Sequence, residues 1–440
     1  MSQFAERRQR FMERMDGGVA VFFAAPSRTR SNDTEYRYRQ DSTFHYLTGF
    51  GEPGAAAVLR PGHPEHPYVL FVRPRNRERE TWEGRRAGPE GAVARYGADA
   101  AYPIDELKTR MPDLLENAEK VYVAMGEDPE RDALVLGAVR TLKAKVRRGV
   151  TAPSSFLDPA AVVNEMRLKK SPPELDAMRR AAAISSQAHR EAMRALRPGL
   201  HEYEIEAIIE YAFRRHGAAA PAYSTIVGSG VNATILHYVE NRDVCRDGDL
   251  LLVDAGAEFD GYSADITRTV PVNGRFSPVQ KRAYEIALAA QLAAIDRARA
   301  GTPFDAVHAA ALDVLVDGLV TLGVLSGKRE ELIASEAYKP YYMHQTSHWL
   351  GLDVHDVGSY RTGEVWRPLE PGMVLTVEPG LYFAEDQEDV PPALRGMGIR
   401  IEDDVLVTSG APEVLTAAAP KTVDDVESVM AGASEPASTP

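Results

Sequence analysis

The sequence predicts an α/β (α+β) protein of two units, the second folded from two similar halves. Three observations carry that reading. The pattern G-x-x-L-x-V-(D or E)-x-G occurs twice, as Gly248-Asp249-Leu250-Leu251-Leu252-Val253-Asp254-Ala255-Gly256 and as Gly372-Met373-Val374-Leu375-Thr376-Val377-Glu378-Pro379-Gly380. After a turn, each copy is followed by a second acid in an apolar strand, Asp265 and Glu402. From about 160 the chain changes to long helices followed by paired strands, and it does so twice. Self-similarity of this kind marks a duplicated half-domain. Acids in apolar strands are costly to bury unless a cation pairs with them, so two from each half point to a metal centre at the seam of a two-fold domain.

Residues 1–155 read as the first unit. A charged amphipathic start leads to an apolar strand over 19–23; further strands are predicted at 56–58, 68–72 and 121–123, and a helix over 129–142. The Pro- and His-rich stretch 60–67 reads as a surface turn with His63 and His66 in solvent, and 151–155 as a linker. The second unit covers 160–431. Ser171-Pro172-Pro173-Glu174 combines an N-cap, prolines in the first turn and a Glu placed for a capping box, so a helix is predicted to about 196. A second helix is predicted over 202–216. Ser277-Pro278-Val279-Gln280 repeats the cap and opens a helix to about 300, and Pro303 opens another that ends near Gly323. Residues 432–440 are small, polar and Pro-rich and read as a disordered tail.

At 440 residues, 44% of them apolar, the chain is long enough for two units with cores of their own. A formal charge of −13 disfavours nucleic acid and anionic membrane surfaces as partners. Cys245 is the only cysteine, so no internal disulfide can form, which fits a reducing compartment. The N-terminus runs into charge without the apolar core of a signal peptide, and no run of about 18 apolar residues could span a membrane. A cytoplasmic protein is expected.

Asp260-Gly261 is a strong two-residue hairpin signal. If those residues form the loop, Asp254 faces Thr267, and Asp265 is its diagonal neighbour on the same face, within reach of one ion. A longer loop would change that register. In the second half Arg400 and Glu402 share a strand face, so the Arg can orient the carboxylate. Asp260, Asp403 and Asp404 read instead as turn caps or surface ion pairs. Four of the eleven histidines, His237, His344, His348 and His355, fall near the acid blocks. The stretch 344–352 mixes imidazoles with apolar residues and a Gly, an environment for a ligand or proton donor. His45, His189, His201, His216 and His308 have no such context.

Four carboxylates and one imidazole balance two divalent cations almost completely. Oxygen-rich ligation without thiolates suits Mn2+ better than a structural zinc. Two such ions about 3.5 to 4 Å apart would hold a bridging hydroxide as nucleophile, so the implied reaction is hydrolysis. Competing chemistry lacks support: Gly228-Ser229-Gly230 misses the dinucleotide spacing, and there is no Walker loop or Gly-x-Ser-x-Gly elbow. Cys245 sits in a charged turn without a catalytic partner and reads as structural or solvent-exposed.

At these residues the chain resembles the pita-bread metallopeptidases, and within them the bacterial Xaa-Pro aminopeptidase (aminopeptidase P) family. The resemblance rests on Thr225-Ile226-Val227-Gly228-Ser229-Gly230, Ile235-Leu236-His237-Tyr238, Val253-Asp254-Ala255-Gly256, Asp265-Ile266-Thr267-Arg268-Thr269, the 344–355 block, Thr376-Val377-Glu378-Pro379-Gly380 and Gly398-Ile399-Arg400-Ile401-Glu402-Asp403-Asp404; Trp82-Glu83-Gly84-Arg85-Arg86-Ala87-Gly88 adds to it in the first unit. It implies a creatinase-like α/β domain followed by a pseudo-two-fold pita-bread catalytic domain. Asp254 would bind one of two divalent ions, Asp265 and Glu402 would bridge both, and His348 and Glu378 would bind the other. Glu378 would also shuttle the proton. His237 and His355 would act on the substrate side, His344 would line the proline pocket, and Arg400 would stand behind the ligands. The stretch around Trp82, rich in Arg and Gly, reads as a loop of the first unit. The implied substrates are peptides with penultimate proline, the implied assembly a homotetramer in which Trp82 helps wall a neighbour's site. Two other readings share the fold: a prolidase acting on Xaa-Pro dipeptides, and a metal-free binding module, which would have lost ligands that this chain keeps.

Overall fold

Val19-Ala20-Val21-Phe22-Phe23 forms a strand inside the first unit's sheet, apolar throughout because both of its faces are covered. The computed structural model describes residues 2–432. Apart from Gly432, the tail expected at 432–440 lies outside the described residues. The chain divides into two compact units, the first ending at Met166 and the second beginning at Arg167.

The first unit carries a six-stranded mixed sheet in the order Ala100–Pro103, Tyr68–Val72, Ala56–Leu59, Val19–Phe23, Lys120–Tyr122, Ser155–Leu157. The two central pairings are antiparallel and the outer three parallel. Helices Leu107–Leu115 and Pro129–Ala144 pack Leu107, Met111, Val135 and Leu142 on one face. The stretch read as a linker is tied in: Asn117 exchanges hydrogen bonds with the Thr151 backbone, and Ser155–Leu157 is the sheet's last strand. The first unit therefore runs past 155. Trp82, expected in a loop, lies on the short helix Arg77–Glu83, because Asn76 caps its start and Arg79 pairs with Glu83 one turn on. The turn at 60–67 forms as expected, but His63 and His66, read as solvent-facing, are half-buried, because the His63 Nδ1 accepts from the Glu65 and His66 N–H groups and the two rings stack.

In the second unit the two halves repeat one plan. Helices Pro172–Ala195 and Glu202–Arg215 pack Ile184, Ala188, Ile205, Ile209 and Phe213 against Leu251, Val253 and Val270 of the first hairpin. Helices Pro278–Arg297 and Asp305–Thr321 pack Ala283, Tyr284, Ala287, Val307 and Leu315 against Leu375, Val377, Ile399 and Val405 of the second. Both predicted caps form: Glu174 accepts from the Ser171 backbone N–H at 2.9 Å, and Gln280 accepts from that of Ser277 at 2.8 Å. Cys245 is buried in the first of these cores, which settles it as structural.

The hairpins set the site. In the first, Phe259 pairs with Tyr262, leaving Asp260-Gly261 as the loop, with φ of 49° and 83°. Both values are left-handed, as a two-residue turn of this kind requires. The register then places Asp254 opposite Thr267, as the sequence predicts. In the second, Val377 pairs with Asp403 and Gly380 with Arg400, so Glu378 stands level with Glu402. The closing glycine of each repeat is a packing requirement. A Cβ on Gly256 would lie 1.7 Å from the Ala264 carbonyl oxygen, and one on Gly380 would lie 2.7 Å from that of Ile399. The two hairpins meet along one edge, where the Glu402 N–H donates to the Thr267 carbonyl at 3.0 Å and the Arg400 N–H to the Thr269 hydroxyl at 3.1 Å. Among the described residues, no helix is long and apolar enough to cross a membrane.

Candidate metal centre

At that edge Asp265, His348 and Glu402 bring one ligand atom each within 4.8 Å of one another. Asp265 and Glu402 come from the two hairpins, so the register that unites the halves also assembles the cluster. His348 comes from the segment before the second repeat. Its Nδ1 faces the Trp349 carbonyl at 3.0 Å and must carry the proton there. That leaves the Nε2 lone pair directed into the site, 3.4 Å from Asp265 Oδ2 and 3.5 Å from Glu378 Oε1. Asp254 completes the ring. Its Oδ1 accepts from the Tyr223 hydroxyl at 2.6 Å, which lies 2.5 Å from Asp265 Oδ1, and its Oδ2 accepts from Arg400 Nη2 at 2.6 Å. A carboxylate has about four lone-pair sites, so each of these donors leaves room for a cation.

The electrostatics are those of a site short of positive charge. Burial raises Asp254 against the pull of Arg400. Burial raises Glu378 to about 7, opposed by His348 and helped by Asp265. Burial, then repulsion from Asp265 and Glu378, puts Glu402 well above the carboxylate range. His348 goes the other way: burial lowers it, but Asp265 and Glu378 more than offset this and hold it at about 9. Without a cation Asp254, Glu378 and Glu402 keep protons to higher pH, and His348 becomes the cation. The donor set therefore fits divalent ions: oxygens and one imidazole, with Asp254, Asp265 and Glu402 buried and His348 and Glu378 only slightly exposed, and with compensation missing until a cation enters.

The centre floors a cavity of about 470 Å³, lined by His237, His344, His348 and His355 and by the apolar Ile226, Leu236, Val239 and Val354. His355 stacks edge-on to His348 with ring centres 4.4 Å apart; burial, and then the charge on His348, lower it. His344 donates Nδ1 to the Gln345 carbonyl and takes the Tyr382 hydroxyl on Nε2 at 2.9 Å; burial and Arg400 hold it near 3, a neutral imidazole. Arg400 is fully engaged, reaching Thr267, Tyr382 and Asp254.

All the predicted site residues except Trp82 line this cavity. Trp82 belongs to the first unit, on a helix, and is 85% exposed. Two acids read as turn caps or surface ion pairs are neither: Asp403 is buried against Arg268 and Lys421 at 2.7 Å each, and Asp404 is buried where both its oxygens accept from the Asp265 N–H at 3.2 Å. Asp260 does sit exposed in its turn. Sequence reasoning missed Tyr223, Thr376 and Tyr382, which hold the site's carboxylates and imidazoles. No motif marks Tyr223, but Thr376 and Tyr382 lie in or beside the second repeat.

The pattern of metallopeptidase family M24 matches residues 176–409, the whole span of this centre, and that of the aminopeptidase P N-terminal domain matches residues 4–122. The chain belongs to metallopeptidase family M24. Within the family it is 48% identical over 433 residues to the Xaa-Pro aminopeptidase of Escherichia coli (strain K12), covering 98% of each chain. Two solved family members superpose on it with TM-scores of 0.96. Aminopeptidase PepP of Pseudomonas aeruginosa is 50% identical, over 98% of both chains. The zinc-substituted E. coli aminopeptidase P in complex with product is 47% identical, over 99% of this chain and 100% of that one.

Proposed function

We propose that the chain releases the first residue from peptides with proline in second position, Xaa-Pro-Yaa, using two divalent ions, Mn2+ by preference. The observation that carries this is the convergence of Asp265, His348 and Glu402, flanked by Asp254 and Glu378, on the floor of a histidine-lined cavity. The full-length similarity to Xaa-Pro aminopeptidases supports it.

Asp254 would hold one ion, His348 and Glu378 the other, and Asp265 and Glu402 both. When bound, the ions polarise the scissile carbonyl and activate water near neutral pH. The protein's own groups do the rest. His237 and His355 would meet the charge that develops at the carbonyl oxygen and the amide as the bond breaks. Glu378 would carry the proton towards the leaving nitrogen, with Thr376 steadying its Oε1 from 3.3 Å. Arg400 would hold Asp254 in its ligating orientation. His344, neutral and fixed by Tyr382, would line the pocket for the ring. A proline nitrogen offers no N–H, so a cavity with apolar walls suits it better than a strand-gripping groove.

A free α-amine at the metal end of the cavity fixes the count at one residue from the N-terminus. The reading extends to a cytoplasmic homotetramer in which Trp82 helps wall a neighbouring copy's site. Peptides of the form Xaa-Pro-Yaa with free and with acetylated N-termini test the proposal. Cleavage of the free form alone is expected; equal cleavage of the acetylated form would remove the aminopeptidase assignment.

A further inference from the structure

Outside the metal centre, Glu202 carries a carboxylate with no solvent exposure and four donors. Oε1 accepts from the Ser229 N–H at 2.7 Å and from Asn232 Nδ2 at 3.0 Å. Oε2 accepts from the Tyr238 hydroxyl at 2.8 Å and from the Asp243 N–H at 2.9 Å. All four donors belong to the segment 229–243, which connects the strand Ile226–Ser229 to the first repeat. Asn232 also reaches the Tyr238 hydroxyl at 3.1 Å and Asp243 Oδ2 at 2.9 Å. At the far end Asn241 accepts from the Val227 N–H at 3.0 Å and donates to the Thr225 carbonyl at 2.9 Å.

The segment has one chemically active side chain facing the cavity, His237. Its imidazole makes no hydrogen bond among the described residues, unlike His344 and His348. Its neighbour Tyr238 is buried among Ile226, Ala233 and Leu252 with its hydroxyl on Glu202. With no hydrogen bond of its own, His237 depends on the course of its segment, which Glu202 ties at the Ser229 and Asp243 N–H groups and at the Asn232 and Tyr238 side chains.

We propose that Glu202 is the positioning residue for His237. Its four-donor carboxylate replaces the hydrogen bonds that a loop of this length would otherwise make to water, and it holds the imidazole at one place over the metal centre. A carboxylate suits the task because it accepts from all four directions and offers no competing donor. A glutamine there would turn an N–H2 towards two of the donors and break the arrangement without changing its volume.

The role given to His237 rests on the proposed peptidase reading, so the test has two arms. In the kinetic arm, Glu202→Gln lowers kcat on an Xaa-Pro-Yaa peptide by about ten- to hundredfold, with KM and Mn2+ content close to wild type. In a His237→Ala background the same substitution adds almost nothing, since the two changes remove one interaction. Tyr238→Phe, which removes one of the four donors, shows the same non-additivity with a smaller drop. In the second arm, on protein loaded with diamagnetic Zn2+ in place of Mn2+, the imidazole NMR signal of His237, assigned by its loss in His237→Ala, broadens or shifts in Glu202→Gln and in Tyr238→Phe while that of His348 stays. A Glu202→Gln enzyme with full kcat, or a drop as large without His237 as with it, overturns the proposal; so does an unmoved His237 signal. A wild-type enzyme inactive on the peptide counts against the peptidase reading instead, and the NMR arm then decides the place of Glu202 alone.

Discussion

The hydroxyl of Thr267 donates to Oε2 of Glu402 at 2.6 Å, and the two residues come from opposite halves of the duplicated domain. In its own hairpin Thr267 stands level with Asp254, and in the other Glu402 stands level with Glu378. Positions that correspond under the repeat thus touch each other, as they must beside a two-fold axis. The duplication itself brings the acids together, and the second hairpin differs at two of these positions, with Glu402 where the first has Thr267 and Arg400 where it has Asp265. The arginine supplies a cation to hold Asp254 and leaves the other candidate ligands turned inward.

Ligands and substrate-side residues separate by experiment. Replacing Asp265 or Glu402 with Ala removes a group that would touch both ions, so turnover and metal retention fall together. Replacing His237 or His355 with Ala leaves two Mn2+ per chain by elemental analysis and lowers kcat by about a hundredfold or more. A chelator abolishes activity and Mn2+ restores it. One ion per chain in fully active protein would end the dinuclear account, and metal loss in His355→Ala with retention in Asp265→Ala would reverse the roles.

At Glu378 and His348 the metal-free protein loses stability as pH rises. Glu378 is raised from 4.5 to about 7 in the fold, so its contribution is full below 4.5 and disappears as pH passes through 7. His348 is raised from 6.5 to about 9, so its contribution is full below 6.5 and is lost as pH passes through 9. Both run the same way over pH 4.5 to 9, while cation binding strengthens as the ligands lose protons. The gain in Tm on adding Mn2+ therefore grows between pH 5.5 and 8.5. A constant or shrinking gain over that range contradicts the assignment of these two groups to the metal.

Arg268 is fully buried beside the site, with its guanidinium on Asp403, Pro420, Ala419 and Thr267. Arg268→Ala leaves Asp403 with Lys421, Gln291 and Thr416 but without its main counter-charge. The expected cost is about 3 kcal/mol, read as a lowered midpoint in urea, because the buried carboxylate keeps only one of its two counter-charges. A variant within about 0.5 kcal/mol of wild type, the range of ordinary surface changes, would show Lys421 to be sufficient.

Much of this was legible in the sequence because the signals were local. Asp260-Gly261 fixes the register of its hairpin, and register fixes that Asp254 faces Thr267. The Ser-Pro caps mark both helix starts. Other features depend on partners far along the chain. Asp403 looks like a surface acid until Arg268 and Lys421 are folded against it, and Tyr223 becomes part of the site only when the first hairpin brings Asp254, at a strand end, and Asp265, in the break between two strands, to its hydroxyl. The loop expected around Trp82 is helical because a cap and an ion pair one turn apart outweigh the nearby Gly and Arg residues.

Trp82 is a test of assembly. Its 85% exposed indole is free to meet a neighbouring copy. In the proposed tetramer Trp82→Ala raises KM or loosens selectivity several-fold while the circular dichroism spectrum is unchanged. A fully active monomer in sedimentation, or a Trp82→Ala enzyme with wild-type KM, contradicts the shared-site arrangement.

The central claim is cleavage after one residue, before proline, with the peptide continuing beyond. It is tested most directly by release of the first amino acid from three matched substrates: Xaa-Pro-Yaa, the Xaa-Pro dipeptide and Xaa-Ala-Yaa, each with Mn2+ at saturation. Rapid release from Xaa-Pro-Yaa is predicted, with Xaa-Ala-Yaa slower by at least about tenfold, the least that loss of the ring's pocket contacts is worth. Cleavage of the dipeptide with none of Xaa-Pro-Yaa would make the enzyme a prolidase, and equal rates on Xaa-Pro-Yaa and Xaa-Ala-Yaa would contradict the proline assignment outright.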